Sequence, residues 1–168
     1  MKLTNIVFAA ALGFVNVNIA ETAWAACDAS QPNSKPSGQY VIAGATVYDK
    51  KADLTWQRCS IGQSWRRGAG CVGVVRTMTW DEAMRTATGD WRVPTIDELR
   101  TLVSESCKSP AINEEAFPDM SSDAFWYWSS TNNGSLAAWY VDFGVGISGI
   151  GFNGRPYTDA VRLVRGGQ

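Results

Sequence analysis

The chain has 168 residues, of which 45% are hydrophobic and 18% charged, so it can form one compact domain with a buried core. It contains no histidine, which excludes a His-based catalytic triad, a His-ligated zinc site and a His pH switch. Fifteen basic and sixteen acidic residues give a formal net charge of -1. This balance lacks the basic excess of a dedicated nucleic-acid-binding protein, so we expect no nucleic-acid partner.

Residues 1–25 have the pattern of a secretory signal peptide. Lys2 precedes a largely apolar run, and Ala23-Trp24-Ala25 fits the small-x-small rule for cleavage. The run is shorter than the ~20 residues that a membrane-spanning helix needs. We expect export to the periplasm, or secretion or display at the cell surface, with no transmembrane segment in the mature chain. Residues 26–39 contain prolines and serines and predict a flexible leader, which places the folded domain at 40–168.

The four cysteines suit two disulfides in an oxidising compartment. Of the three connectivities, we favour Cys59 with Cys71, which closes a short loop, and Cys27 with Cys107, which would tie the leader to the domain. In the chain-entropy model each bridge stabilises the fold by roughly 2–4 kcal/mol. A cysteine soon after a signal peptide can also carry a lipid. Lipidation of Cys27 is therefore the alternative, although it would leave an odd thiol.

Two short β-type runs, Val47-Tyr48 and Leu54-Thr55-Trp56, flank a turn and predict a hairpin near the start of the domain. Residues 58–73 hold two cysteines and several glycines and predict a disulfide-closed surface loop. In this loop Arg66 and Arg67 are candidate anion ligands, because guanidinium groups suit bidentate contacts with sulfate or carboxylate. A solvated pair of surface arginines is the simpler alternative.

Two capping boxes predict the starts of two helices. Thr79 is followed three residues later by Glu82, and Thr95 by Glu98, so each threonine can cap a helix whose glutamate reaches back to it. We expect the first helix to end at Gly89. Acidic residues in a first turn are favoured by the helix dipole, which explains both acidic pairs without catalysis.

The last third of the chain predicts β-structure. Aromatic-rich runs at 125–130 and 137–143 flank Asn132-Asn133-Gly134, a hairpin-turn signature. Residues 144–154 predict a glycine-rich strand and loop, and 161–165 a closing strand. The GxGxxG pattern at 144–149 lacks the following helix that a dinucleotide site needs. Helices in the middle and strands at both ends predict an α+β domain in which the terminal strands meet.

We expect a ligand to sit on the loop-rich face of this last third, where glycines permit close approach. The candidate ligand-binding residues are Asn132, Asn133, Asp142, Asn153, Arg155, Tyr157, Arg66 and Arg67. We expect no cofactor. Calcium is the alternative, because the three asparagines and Asp142 offer the oxygen ligands that it prefers. Trp126, Trp128 and Trp139 would stack on sugar rings if exposed, but we expect core packing for at least two of them.

Five ordered motifs resemble the C-terminal domain of the Legionella collagen-like adhesin family. They are Asp53-Leu54-Thr55-Trp56-Gln57-Arg58-Cys59, Trp91-Arg92-Val93-Pro94-Thr95 into Glu98-Leu99, Trp128-Ser129-Ser130-Thr131, Trp139-Tyr140-Val141-Asp142-Phe143, and Val161-Arg162-Leu163-Val164-Arg165-Gly166-Gly167. The resemblance covers about residues 40–167. It implies a C-type-lectin-like fold, with two helices packed on small antiparallel sheets and disulfide bonds, distantly like the formylglycine-generating enzymes. It also implies binding of sulfated polysaccharides.

These observations predict an exported, non-catalytic binding module that recognises a carbohydrate at the cell envelope or surface. One alternative is a module that binds another envelope protein through its aromatic-rich face. A second is a cleft enzyme that uses Asp119, Asp123 or Asp142 for hydrolysis. The oxidase chemistry of the formylglycine-generating enzymes uses a cysteine pair late in the domain. No cysteine follows Cys107 here, so the resemblance does not extend to that activity.

Overall fold

The computed structural model describes residues 38–104, 107, 110–120, 125–152 and 157–166. The expected signal peptide and almost all of the expected leader lie outside these residues, as do Cys27, Asp123, Asn153 and Arg155. The strands of the described chain are β1 (Tyr40–Ala43), β2 (Thr46–Asp49), β3 (Leu54–Gln57), β4 (Gln63–Arg66), β5 (Gly70–Gly73), β6 (Trp126–Asn132), β7 (Ala137–Asp142), β8 (Ile147–Phe152) and β9 (Val164–Gly166). The helices are α1 (Trp80–Met84) and α2 (Ile96–Arg100).

Three small antiparallel sheets organise the described residues. The first has the strand order β1-β2-β3-β9, so the early hairpin pairs with the last strand of the chain. This confirms the predicted β2–β3 hairpin and the predicted meeting of the terminal strands. The second sheet is the β4–β5 hairpin, and the third has the order β6-β7-β8. With two short helices, the described chain is an α+β domain, as predicted.

The stretch predicted as a disulfide-closed loop is a regular hairpin. Cys59 and Cys71 are disulfide-bonded, with 5.4 Å between their Cα atoms, which is the pairing that the sequence favoured. Between them, β4 and β5 pair in register from Gln63 opposite Gly73 to Arg66 opposite Gly70. Gly62 and Gly73 have positive φ values of 98° and 116°, a region that glycine adopts without steric cost. Cys107 is also disulfide-bonded, and its expected partner Cys27 lies outside the described residues.

Both predicted capping boxes are present, but the helices that they begin are only five residues long. The carboxylate of Glu82 accepts a bond from Thr79 N at 2.9 Å, and that of Glu98 accepts one from Thr95 N at 2.8 Å. The prediction that the first helix runs to Gly89 is wrong. The amides of Arg85 and Thr86 donate to carbonyls only three residues back, and the Thr86 hydroxyl donates to Ala83 O at 2.6 Å. This tight final turn ends α1 at Met84.

The closing strand is shorter than predicted, because only Val164–Gly166 pairs as a strand. The preceding residues bond with an adjacent segment instead: Gln57 N donates to Leu163 O at 3.0 Å, and Ile61 N to Val161 O at 2.9 Å. The side chain of Arg162 points into the core and is 1% exposed. It therefore does not add positive charge to the surface.

A buried ion pair joins four separate segments at the centre of the domain. Arg162 Nη2 lies 2.5 Å from Asp119 Oδ1, and both side chains are fully buried. The other Asp119 oxygen accepts bonds from the amide and hydroxyl of Ser60, each at 2.6 Å. Ser60 Oγ in turn lies 2.7 Å from the Tyr127 hydroxyl. Arg162 Nη1 donates to the carbonyls of Gln57 and Arg58. Burial alone would lower the pKa of Arg162, but the charge of Asp119 raises it, so this guanidinium stays charged.

A second arginine holds the loop that carries Asp119. The Arg58 guanidinium donates to the carbonyls of Ala116 at 2.8 Å and Glu115 at 2.7 Å, and it lies 4.1 Å from the ring centroid of Trp65. The long, planar side chain thus satisfies backbone acceptors that no strand or helix pairs. Residues 113–120 are consequently fixed by side-chain bonds rather than by a sheet.

We predict that Asp119→Asn destabilises the domain by about 3–5 kcal/mol, because it leaves the Arg162 charge buried without a counter-ion. Asp90→Asn is the matched control: it removes an ion pair with Arg165 whose two side chains are 69% and 42% exposed, so it should cost less than about 1 kcal/mol. Urea unfolding at pH 7 measures both changes. Equal effects of the two substitutions would contradict a central role for the buried pair.

Candidate functional site

One face of the β6–β8 sheet carries the candidate site, which we call the aromatic face. Pairing places Trp126, Asp142 and Ile147 in one row across the three strands, and Trp128, Tyr140 and Gly149 in the next. Directly paired residues of an antiparallel sheet point to the same side. The first row is open to solvent: Trp126 is 45% exposed and Ile147 59%. The second row is closed by Trp128, which is fully buried.

Two aromatic rings form the accessible surface of this face. Trp126 and Tyr140 are stacked, with 5.1 Å between their centroids and 14° between their planes. Trp128 meets Tyr140 edge-on, with an angle of 82° between the ring planes, and donates from its indole nitrogen to Met78 O at 2.9 Å. The buried tryptophan thus holds the tyrosine, and the tyrosine supports the exposed indole. Such contacts hold both rings in fixed orientations.

The aromatic face needs glycines on the neighbouring strand. A Cβ atom at Gly149 would lie 2.6 Å from the Tyr140 hydroxyl oxygen, and one at Gly151 would lie 3.0 Å from the Trp128 ring. The rings therefore lie flat against the β8 backbone in space that any other residue would fill. The glycines of this segment were expected to permit close approach of a ligand. The structure shows that Gly149 and Gly151 make room for the protein's own aromatic rings.

Two carboxylates set the electrostatics of the aromatic face. Burial, followed by the negative charges of Asp142 and Asp159, raises the pKa of Tyr140 above its ordinary value. The phenol is therefore protonated at neutral pH and can donate a hydrogen bond. Asp159 is 6% exposed, and burial raises its pKa to about 6. Asp142 accepts a bond from Gly144 N at 2.7 Å, and a carboxylate has room for further donors.

The described calcium candidates Asn132 and Asp142 do not come together. Asn132 pairs with Ala138, and Asp142 lies four residues beyond Ala138 on β7. At ~3.3 Å per residue the two positions are about 13 Å apart, whereas two oxygens that bind one calcium ion at 2.3–2.6 Å lie within about 5 Å of each other. Asn133 continues the turn beyond Asn132 and donates its amide to Ala137 O at 2.7 Å. Within the described ranges, no group of three acidic or cysteine side chains could hold a metal ion.

The other predicted ligand residues are scattered over the fold. Arg66 and Arg67 are exposed at the tip of the β4–β5 hairpin, in a different sheet from the aromatic face. Tyr157 is 44% exposed and lies three residues before Ala160, whose amide donates to Trp126 O. Asn153 and Arg155 fall outside the described residues.

Of the three tryptophans considered for stacking on sugars, two are packed, as predicted. Trp128 is fully buried, and Trp139 is a partly buried neighbour of the main core cluster. Sequence reasoning missed Tyr140 and Asp159. Tyr140 could have been found from alternation, which places it on the side of the sheet opposite Trp139. Asp159 has no local signal, because its burial depends on the distant bridge to Met78.

The two described acids among those considered for a hydrolase, Asp119 and Asp142, do not form a pair across a cleft. Asp119 is 5% exposed and is held by Arg162 and Ser60, so it does not face solvent. Asp142 lies on the aromatic face, and Asp123 falls outside the described residues. The described structure therefore places no two of these carboxylates around a shared cleft, as glycoside hydrolysis needs.

We predict that Asp159→Asn makes folding stability less dependent on pH. Because the pKa of this carboxyl is raised to about 6 in the folded state, its protonated form stabilises the fold below about pH 4, and this contribution is lost as pH rises from about 4 to 6. Asparagine keeps the neutral shape at every pH. Urea unfolding between pH 4 and 7.5 should therefore show a stability difference between variant and wild type that grows up to about pH 6. A difference that is constant with pH would contradict the burial of a titrating carboxyl.

No helix of the described residues is long and apolar enough to cross a membrane.

Comparison with known proteins gives one family. A search of curated proteins finds no match. The profile of the Lcl C-terminal domain family matches residues 45–165, which span every strand and helix described above except β1 and part of β9. The chain therefore belongs to the Lcl C-terminal domain family, the family of the Legionella collagen-like adhesin.

Proposed function

We propose that this protein is an exported, C-type-lectin-like binding module that recognises a carbohydrate on its aromatic face. The observation that carries the proposal is the exposed indole of Trp126, held by a stack on Tyr140. A pyranose ring has an apolar face of C–H groups, and an exposed aromatic ring offers it a flat apolar surface with little conformational entropy to lose.

Polar groups beside the rings suit the hydroxyls of a sugar. The Tyr140 phenol is a donor, and Asp142, directly opposite Trp126 across the strand pair, is an acceptor. Ligand sites commonly combine an apolar surface with a few polar groups that fix orientation. The two carboxylates near Tyr140, those of Asp142 and Asp159, would repel a negatively charged sugar at this point of the face. We therefore expect a neutral residue of the glycan to occupy it.

Family membership and cysteine chemistry support the wider proposal. The adhesin that gives the family its name is a binding protein, and the resemblance implies polysaccharide ligands. The Cys59–Cys71 disulfide is typical of proteins in oxidising compartments, such as the periplasm and the cell exterior. Both features are compatible with the export that the first 25 residues predict.

A protein partner at the envelope is the second candidate, and one observation favours it. Val145 and Ile147 are 65% and 59% exposed, and Ile147 lies in the same row of the sheet as Trp126, with Asp142 between them. Exposed apolar patches often mark protein interaction sites. The same surface thus suits either a carbohydrate or a protein partner, and the chemistry of the bound ligand distinguishes these two functions.

We predict that Trp126→Ala weakens glycan binding at least tenfold, because it removes the stacking surface while the core below it stays intact. Tyr48→Ala is the control: Tyr48 is also exposed, at 38%, but lies on β2 in another sheet. The oxidised mature protein is applied to a broad glycan array, with calcium and with chelator, and affinities are then measured for the best glycans. Thermal unfolding checks that both variants remain folded.

A blank array under all conditions would contradict carbohydrate recognition and leave the protein-partner candidate. Binding that survives Trp126→Ala unchanged would place the sugar elsewhere on the domain. Binding that is lost only when the salt concentration is raised would indicate an electrostatic site formed by arginines rather than the aromatic face.

A further inference from the structure

A cleft beside α1 has a different chemistry from the aromatic face. It has a volume of about 520 Å³ and lies between the segment that precedes α1 and the last turn of that helix. The residues that line it are Ile61, Arg76, Thr77, Met78, Glu82, Arg85 and Thr86. Its volume falls within the range of ~300–1,000 Å³ typical of small-molecule sites.

Neither arginine of this cleft forms an ion pair with another described residue. Within the described ranges, every ion pair uses other arginines, namely Arg92, Arg100, Arg162 and Arg165. Arg58, the remaining arginine with side-chain hydrogen bonds there, binds carbonyls. Arg76 and Arg85 therefore line the cleft without a direct salt bridge to any other described residue. The acidic residue that lines it, Glu82, is engaged by the amide and hydroxyl of Thr79, each at 2.9 Å.

The net charge of the residues that line the cleft indicates the kind of ligand that fits it. Two arginines and one glutamate give the lining a net charge of +1, which complements a monoanion. Paired guanidinium groups suit a carboxylate, which accepts several of their N–H bonds at once. Ile61 and Met78 supply apolar surface next to the charges. A sulfate group would use the arginines but gain nothing from these two side chains.

Backbone bonds hold the walls of the cleft in place. Arg76 N donates to Ile61 O at 2.8 Å, and Met78 exchanges two bonds of 3.0 Å with Asp159. The Thr86 amide donates to Ala83 O at 3.0 Å. The cleft is thus formed before any ligand arrives, which lowers the entropic cost of binding.

We propose that this cleft binds a carboxylate attached to a small apolar group, with Arg76 and Arg85 holding the carboxylate and Ile61 and Met78 contacting the apolar group. This chemistry belongs both to a free branched-chain organic acid and to the C-terminus of a peptide that ends in an aliphatic residue. The proposal is independent of carbohydrate binding at the aromatic face, and the failure of either leaves the other standing.

Titrations followed by amide NMR test the proposal, with the signals of Thr77 and Thr86 as reporters. The probes are N-acetyl-leucine, which imitates a peptide C-terminus, 4-methylvalerate, which is a free acid, and N-acetyl-leucinamide, which lacks the carboxylate. We expect N-acetyl-leucine to shift both signals and the amide not to. If 4-methylvalerate binds equally well, a free acid is the ligand class; if it binds at least tenfold more weakly, a peptide terminus is.

Arginine variants provide the second measurement. Arg76→Gln and Arg85→Gln should each weaken N-acetyl-leucine binding at least tenfold, since each removes a charge-assisted pair of bonds. Arg67→Gln, an exposed arginine outside the cleft, should leave the affinity unchanged. Equal binding of acid and amide, equal affinity for inorganic sulfate, or no effect of the two cleft substitutions in folded protein would overturn the proposal.

Discussion

The fold depends on one buried charge pair, Arg162 with Asp119. It connects the segment just before β9, the loop of residues 113–120, the chain just after β3 and, through Tyr127, strand β6. Burying two charges is costly, so the pair holds only because the carboxylate and the two terminal guanidinium nitrogens find close partners. The Arg162 Nε atom has no hydrogen-bond partner in the structure. The guanidinium instead lies between the rings of Phe117 and Tyr127, 4.8 and 5.5 Å from their centroids, where cation–π attraction offsets part of the desolvation.

This arrangement connects the core to the aromatic face. Tyr127 and Trp128 are consecutive on β6 and point to opposite sides of the sheet: Tyr127 joins the charge pair, and Trp128 supports Tyr140. The strand is therefore fixed from both sides, and Trp126 at its start is held in a defined orientation. A rigid exposed ring on a strand is a better binding surface than one on a mobile loop, because less entropy is lost when the ligand is bound.

Local patterns predicted the local features of this structure. The Thr79 and Thr95 caps, the β2–β3 hairpin and the Cys59–Cys71 bond each depend on residues within about 13 positions of one another. The pairing of terminal strands followed from the order of elements. Features that depend on contacts between residues far apart in the sequence could not be predicted from local patterns. The burial of Arg162 needs Asp119, which lies 43 positions away, and alternation within the predicted closing strand at 161–165 shows only that Arg162 and Arg165 point to opposite sides.

The candidate site also combines features that local patterns predict with features that depend on contacts between distant residues. The hairpin asparagines were predicted as ligands because they belong to a loop-rich face where glycines permit close approach, yet the sheet places Asn132 and Asp142 at opposite ends of one strand pair. The stack of Trp126 on Tyr140 requires the register that brings Gly149 opposite Tyr140, and that register is a property of the folded sheet. The motif that carried the family resemblance, Trp139-Tyr140-Val141-Asp142-Phe143, nevertheless contains two residues of the aromatic face.

The most direct test of carbohydrate binding at this face is the indole N–H region of the NMR spectrum, recorded while the best array glycan is added to the oxidised protein. Seven of the eight tryptophans lie within the described residues and give reporters at known depths. We expect the signal of Trp126 to shift in proportion to bound glycan, while those of the fully buried Trp56 and Trp128 move little. A saturable glycan titration that leaves the Trp126 signal unchanged would contradict the account.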